Sequence, residues 1–376
     1  MKILFDTREE IRNITGIGRC VKNLAHELRH MDKPGLHCVC VPDRAISKPQ
    51  RSPGRSLPVQ LANFVRNLAW KQAYLPWRTL REKADLLVCM DPIGPLVSPV
   101  PVGLVVHDLI FLSGRAQSDA WTLYWRMMVP RCARRAQVLF APSEATRKRI
   151  VADLSIDPTR IVIFREGVAD PFRPLGLSAD EARRLRLKLG LPEAFLLTVG
   201  AHDPRRNLKT LLRAYGRLKA GGRFSHKLVV VGAKTAFSRE ILEETRLRGL
   251  EQDVLYLDFV PDDLLPAYYN LADAYVYPSF EEGFGLTPLE AMACGCPVVT
   301  SRASSLPEVV GDAAVLVDPA SEEELSRAIA EVLSSEGLRA ELVRKGLERS
   351  RRFSWRAGAE EIVAACVERF GRCANA

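Results

Sequence analysis

The sequence predicts an α/β protein built from two doubly wound parallel sheets, one after the other, and three observations lead to that class. Short β-rich apolar runs alternate with longer helix-patterned stretches along almost the whole chain. The alternation breaks once, at "DPFRPLG" (170–176), where two prolines and a glycine fall within seven residues, and then restarts. With 376 residues, 47% of them apolar, the chain is too long for one hydrophobic core and suits two.

In order, the first half reads strand "KILFD" (2–6), a helix over 17–30, then strands "HCVCV" (37–41), "DLLVCM" (85–90) and "GLVVHD" (103–108). A helix over 119–135, strand "QVLFAP" (137–142), a helix from Ser143 and strand "RIVIF" (160–164) complete it. The second half repeats the scheme with strands "FLLTVG" (195–200), "KLVVVG" (227–232), "VLYLDFV" (254–260), "DAYVYP" (273–278), "PVVTS" (297–301) and "AVLVDP" (314–319). Helices starting at Asn207, Ser238, Asp262 and Thr287 separate them, and three more fill 322–334, 337–352 and 355–373. The expected organisation is a domain at 1–170, a linker at 171–190, a second domain at 191–354, and a helix at 355–376 returning to the first domain. Ligands of such sheets sit beyond the carboxyl ends of the strands. Two sheets facing one another would form a deep cleft that shields a substrate from water and favours transfer over hydrolysis.

Composition narrows the function. After Met1 and Lys2 the apolar run stops at Asp6, and the most apolar segment, 96–106, is broken by Pro99 and Pro101, so neither a signal peptide nor a spanning helix is expected. The expected location is cytoplasmic. Nine cysteines, an odd number without repeated spacing, describe neither a disulfide framework nor a zinc site. Cys38/Cys40 and Cys294/Cys296 read as small buried apolar residues.

The net charge of +9 is uneven, with 31 Lys and Arg against 18 Asp and Glu in residues 1–190. That asymmetry suits an anionic partner for the first half, and a merely soluble basic surface accounts for it as well. A nucleic-acid partner would rest on charge alone, without a recognition motif, and is set aside. From Arg44 to Arg81 there are eight basic residues and no acidic one, with Leu61, Phe64/Val65, Leu68 and Leu75 at helical spacing. This stretch suits the inner face of an anionic membrane. Core packing of the helix explains its aliphatics equally well.

The loops after strands hold the chemistry-bearing residues. Gly16 and Gly18 fall between the first strand and helix, where amides approach an anion or glycines let the helix pack closely; the full dinucleotide fingerprint is absent. His107 and Asp108 emerge at a strand end. Arg205 and Arg206 precede a helix at Asn207, an arrangement suited to a diphosphate or to an exposed basic turn, while His202 reads as structural. In "EEGFGLTPLEAMACG" (281–295), Gly283 and Gly285 make a turn before a helix begun by Thr287 and Pro288. Glu282 and Glu290 flank that turn, and carboxylates accept hydrogen bonds from sugar and ribose hydroxyls.

Taken together, "GIGR" (16–19), "HDL" (107–109), "PSEATRK" (142–148), "DPRRNL" (203–208) and "EGFGLTPLEAMACGCPVV" (282–299) resemble, in order and over nearly the whole chain, the retaining glycosyltransferases of family 4, the group 1 enzymes. The resemblance implies the GT-B fold, two facing Rossmann-like domains, with a nucleotide-sugar donor in the second and a glycan or lipid-linked acceptor in the first. It implies that Glu282 holds the donor sugar with amides of Gly283, Phe284, Gly285 and Leu286 alongside, and that Glu290 takes the ribose. Val260 would present backbone to the base, Arg205 and Arg206 would neutralise the departing diphosphate, and "SSLPE" (304–308) would add amides to it. Thr287 and the Gly16–Gly18 loop would complete the donor site, and His107 would meet the transferred sugar.

The family's mechanism needs no protein nucleophile, and because no D-x-D occurs in the sequence, neither metal nor other cofactor is expected. Two departures stand out: Arg206 replaces the family's usual lysine, and Glu166 in "FREGV" replaces an asparagine. The implied activity is transfer of a hexose, mannose by general likeness, in cell-surface polysaccharide synthesis. A non-catalytic GT-B scaffold binding nucleotide or lipid is the alternative, and a sugar-nucleotide epimerase lacks identifiable acid/base groups.

Overall fold

The computed structural model describes residues 1–12, 16–42, 57–114, 120–222 and 224–371. The chain divides into two compact units, Met1–Gly167 with Ser354–Ala376, and Val168–Phe353.

Unit 1 is a six-stranded parallel sheet of β1 (Lys2–Asp6), β2 (His37–Val41), β3 (Leu86–Cys89), β4 (Val102–Val105), β5 (Val138–Ala141) and β6 (Ile161–Ile163), in the order β2-β1-β3-β4-β5-β6. Every residue of β3, β4 and β5 is buried, because helices cover both faces and such strands must be apolar throughout. Strand order reverses between β1 and β3, which places this unit's switch point at the loops after those strands.

The connection from β2 to β3 runs through helix Leu57–Ala69, a π-helical turn Trp70–Tyr74 and helix Leu75–Glu82. Residues 43–56, which begin the basic stretch, lie outside the described residues. The wide turn brings two consecutive side chains onto the end of β1. Trp70 Nε1 donates to Asp6 at 3.0 Å, and Lys71 Nζ reaches Asp6 at 2.6 Å and Asp91 at 2.7 Å. Lys71 is only 1% exposed, so one of the eight basic residues is an internal ion-pair partner and not a surface charge. Burial disfavours its charged form, but Asp6 and Asp91 outweigh this and hold its pKa well above the ordinary lysine value. Lys71→Met is therefore expected to destabilise unit 1 by about 3–5 kcal/mol, since it strands the buried Asp6 carboxylate and the part-buried Asp91. Urea unfolding followed by tryptophan fluorescence measures it.

Helix Trp355–Phe370 belongs to unit 1, packed on helix Gly16–Arg29 and β6. Its approach is so close that a β carbon at Gly167 would strike the Trp355 backbone, and one at Gly358 the carbonyl of Arg165. Arg165 Nε also donates to Glu361 at 2.7 Å.

Unit 2 is a second six-stranded parallel sheet: β7 (Phe195–Val199), β8 (Lys227–Val231), β9 (Val254–Leu257), β10 (Ala274–Tyr277), β11 (Val298–Ser301) and β12 (Val315–Val317). Its order, β12-β11-β10-β7-β8-β9, is that of a dinucleotide-binding sheet, with the switch point between β7 and β10. Helix Leu208–Ala220 packs beside helix Glu322–Ser334, and helix Glu336–Ser350 packs on helix Leu286–Ala293. The stretch 171–190, read from sequence as linker, contains helix Ala179–Leu189 of this unit. Ser178 and Glu181 form a capping box at its start and Gly190 ends it in a left-handed conformation. Among the described cysteines none is disulfide-bonded; Cys40, Cys294 and Cys296 are buried and Cys38 half-buried.

Candidate functional site

The loops after β7 and β10 flank the unit 2 switch point and are tied together by backbone bonds. The Phe280 amide donates to the Arg205 carbonyl at 2.7 Å, and the Asn207 side-chain amide donates to the carbonyls of Pro278 at 2.9 Å and Pro319 at 2.5 Å. Asp203 caps the short turn Pro204–Arg206 by accepting from the Arg205 amide at 3.0 Å. Gly200, with φ of +149°, lets the Arg206 side chain lie across the end of β7, where any β carbon would collide with the guanidinium.

Arg205, Arg206 and Glu282 thus converge although 76 residues separate the first and last loops. Glu282 accepts from Tyr277 Oη at 2.6 Å and Ser279 Oγ at 2.9 Å, and pairs with Arg205 Nη1 at 2.7 Å. Arg206 Nη1 stands 4.0 Å from the same carboxylate and donates to Tyr277 Oη. Burial opposes ionisation of Glu282, yet Arg205, Arg206 and the Tyr277 hydroxyl outweigh it and bring its pKa down to about 2. The two guanidiniums are not equivalent. Arg205 is matched by Glu282, by Asp203 at 3.7 Å and by the Glu281 carbonyl at 3.1 Å. Arg206 has no carboxylate closer than 4.0 Å, and its buried Nε has no hydrogen-bond partner among the described residues. Arg205 therefore holds the loop, and Arg206 carries the under-compensated positive charge that an anion would meet.

A carboxylate with a depressed pKa adds stability that is complete above its unfolded value and is lost as pH falls through its folded one. Between about pH 4.5 and 2 the thermal midpoint of unit 2 is accordingly expected to fall, and Glu282→Gln flattens that limb. Above about pH 5 the variant's pH dependence should match that of the parent protein. Calorimetry across this range checks both.

Gly285 initiates helix Leu286–Ala293 at φ of +124°, a conformation suited to glycine, and provides no side-chain cap. The first amides of the helix are left for another acceptor. Ser305 Oγ donates to the carbonyls of Glu282 at 3.0 Å and Phe284 at 2.5 Å, and Ser304 Oγ donates to Glu282 O at 2.6 Å. The "SSLPE" segment therefore braces the Gly283–Gly285 turn through its hydroxyls. Thr287 is buried at the start of this helix. Glu290, 4% exposed, accepts from Tyr269 Oη at 3.2 Å, and Val260 lies in the same apolar cluster as Tyr269.

Tyr277, Ser279 and Tyr269 were not singled out from sequence. For Tyr277 the signal was the aromatic at every second position of "DAYVYP", which directs Tyr275 and Tyr277 to one face; Ser279 and Tyr269 carried none. His202 is structural, with Nδ1 3.0 Å from Ser238 Oγ.

In unit 1, Gly16 begins helix Gly16–Arg29 with open space at its α carbon, and Gly18 is buried two residues on. The resemblance implies that His107 meets the transferred sugar, and in the structure its ring is turned into unit 1. Nε2 lies 3.0 Å from the Met90 carbonyl, and Nδ1 lies 3.6 Å from Glu166 Oε1. The ring is 5% exposed, and both nitrogens face groups of unit 1 because the loop after β4 folds inward against the end of β3.

Two parallel α/β sheets, the second with an arginine pair, a carboxylate and a glycine-started helix gathered at its switch point, define a two-domain α/β protein of the class that takes ligands beyond its strand ends. Residues 14–170 match the family described as Glycosyltransferase Family 4, and residues 181–349 match Glycosyl transferases group 1. The chain belongs to the group 1 glycosyltransferases.

Among relatives, the Escherichia coli O-antigen chain mannosyltransferase B is 35% identical over 222 residues, covering 58% of each chain. The Escherichia coli serotype-specific mannosyltransferase WbdA is 31% identical over 255 residues, 67% of this chain and 31% of that protein. The chain thus spans about a third to under two thirds of the length of these relatives. Anabaena HepE, solved with UDP and glucose, shares the fold with a TM-score of 0.73 at 20% identity, covering 98% of this chain and 100% of that one.

Proposed function

We propose that the protein transfers a hexose, mannose foremost, from a nucleotide-sugar donor to a glycan or lipid-linked acceptor in cell-surface polysaccharide synthesis. The observation that carries this reading is the convergence of Arg205, Arg206 and Glu282 at the unit 2 switch point. Arg206 and the amides of the Gly285 turn meet the diphosphate, Glu282 and the turn hold the sugar hydroxyls, and Glu290 with Val260 holds the nucleoside. Fixed positive charge stabilises the leaving diphosphate without a metal there, and the anomeric configuration is retained. The mannosyltransferase relatives support the choice of sugar. A panel of nucleotide sugars tests it by thermal stabilisation: at a hundredfold excess over Kd the true donor adds about 2.7 kcal/mol to unit 2. Absence of a shift with every nucleotide hexose, GDP-mannose included, sinks the proposal.

The acceptor side is assigned to an anionic membrane surface. Leu61, Val65 and Leu68 lie on one exposed face of helix Leu57–Ala69, while Phe64 turns inward to pack on Trp121 and Tyr124. Trp77 and Leu80 are likewise exposed on helix Leu75–Glu82, with Arg81 over the Trp77 ring. Among the described residues no helix is long and apolar enough to cross a membrane. Retention on anionic liposomes at low salt is expected for the parent protein, and Leu61→Asp with Val65→Asp is expected to lower it at least tenfold. Equal retention of parent and variant, or none by the parent, rejects the surface assignment.

A further inference from the structure

Three titratable groups meet inside unit 1, none of them part of the Arg205, Arg206 and Glu282 cluster. Cys20 lies in the second turn of helix Gly16–Arg29, His107 follows β4, and Glu166 follows β6. Their exposures are 0%, 5% and 4%, and one ligand atom from each lies within 4.8 Å of the others. A backbone carbonyl can only accept, so the bond to Met90 places a proton on His107 Nε2. In the neutral ring the Nδ1 lone pair then points at the Glu166 carboxylate and the Cys20 sulfur. Nδ1 is buried and has no hydrogen-bond partner among the described residues. At 3.6 Å the Nδ1 to Oε1 separation is too long for a hydrogen bond.

That separation has a simpler meaning. Arms of about 2.0–2.2 Å to nitrogen and oxygen give a tetrahedral ion ligand-to-ligand edges of about 3.4 Å. The Nε2–H to carbonyl bond is also the outer-shell contact that orients a metal-bound histidine and frees its other nitrogen. A sulfur, an imidazole and a carboxylate form a donor set for zinc and not for magnesium or calcium. Without a metal, the buried Glu166 carboxylate is matched only if the His107 ring takes up a second proton, a form that Glu166 favours against burial, and the Cys20 thiol donates to it.

We propose that Cys20 Sγ, His107 Nδ1 and Glu166 Oε1 bind one divalent zinc-type ion, which pins helix Gly16–Arg29 to the carboxyl edge of the unit 1 sheet. Binding converts the thiol to a thiolate and releases its proton to solvent, and the fourth position is left to water. The site shares no residue with the Arg205, Arg206 and Glu282 cluster, so it stands or falls independently of the proposed transfer activity. The glutamate that replaces the family's asparagine supplies the third ligand.

The test uses the whole chain and zinc alone. Purified protein dialysed against zinc and then metal-free buffer is expected to hold about one equivalent by elemental analysis. Cobalt in its place should give a thiolate-to-metal absorption band in the near ultraviolet. Cys20→Ala and Glu166→Gln should each weaken binding at least tenfold, and the cobalt–thiolate band should vanish in Cys20→Ala. Because a variant can fold poorly, a chelator is also added to the parent protein, whose thermal midpoint should drop while that of Cys20→Ala does not move. Protein that takes up neither ion, or that binds equally in both variants, overturns the proposal. A bound cobalt ion lacking the thiolate band overturns it too.

Discussion

Glu282→Gln is expected to lower transfer about 10²–10³-fold in kcat while nucleoside diphosphate still binds. The substitution keeps the shape and the hydrogen bonds from Tyr277 and Ser279, but removes the charge that pairs with Arg205 at 2.7 Å. Both guanidiniums then face a neutral amide, and ground-state attraction for the diphosphate is held or increased. What disappears is the anion that positions the sugar. Initial rates with saturating donor, beside diphosphate titration calorimetry, separate the two effects. A variant that transfers at the parent rate would remove Glu282 from the chemistry and revive the scaffold alternative.

Arg206→Ala is expected to be comparably severe, again about 10²–10³-fold in kcat, with a smaller change in KM. The reason is the asymmetry between the arginines: Arg205 is occupied by Glu282, Asp203 and the Glu281 carbonyl, whereas Arg206 has a buried nitrogen without a hydrogen-bond partner among the described residues. Arg206→Lys should restore much of the rate, because an ammonium supplies the charge that the leaving diphosphate needs but not the planar fork. Single-turnover rates for the three proteins decide it. If Arg206→Ala loses less than Arg205→Ala, the division of labour between them is wrong.

The strands were legible because buried parallel strands must be continuously apolar, and runs such as "QVLFA" and "KLVVV" have no competing reading. Helix Ala179–Leu189 was hidden by the proline-rich lead-in, although Ser178 and Glu181 spelled its cap. The site was legible in its loops and charges, since Arg205, Arg206 and Glu282 all follow strand ends. Partnerships were not. Lys71 looked like one more surface cation because its acids, Asp6 and Asp91, lie 65 and 20 residues away and meet only when β1 and β3 pair. The surroundings of His107 were hidden in the same way: only the fold shows that Nε2 faces the Met90 carbonyl and that Nδ1 stands 3.6 Å from Glu166. Tyr277 is buried at the end of β10, and nothing in the sequence announces that its hydroxyl meets Glu282.

The placement of Trp355–Phe370 in unit 1 bears on biosynthesis. A ribosome must make all of Val168–Phe353 before the residues that cover helix Gly16–Arg29 and β6 emerge. The sheet born first is therefore finished last, and the later-made one matures while its elder waits with an apolar flank bare. Ribosome-stalled forms ending before Ser354 are therefore expected to be sensitive to protease in unit 1 alone.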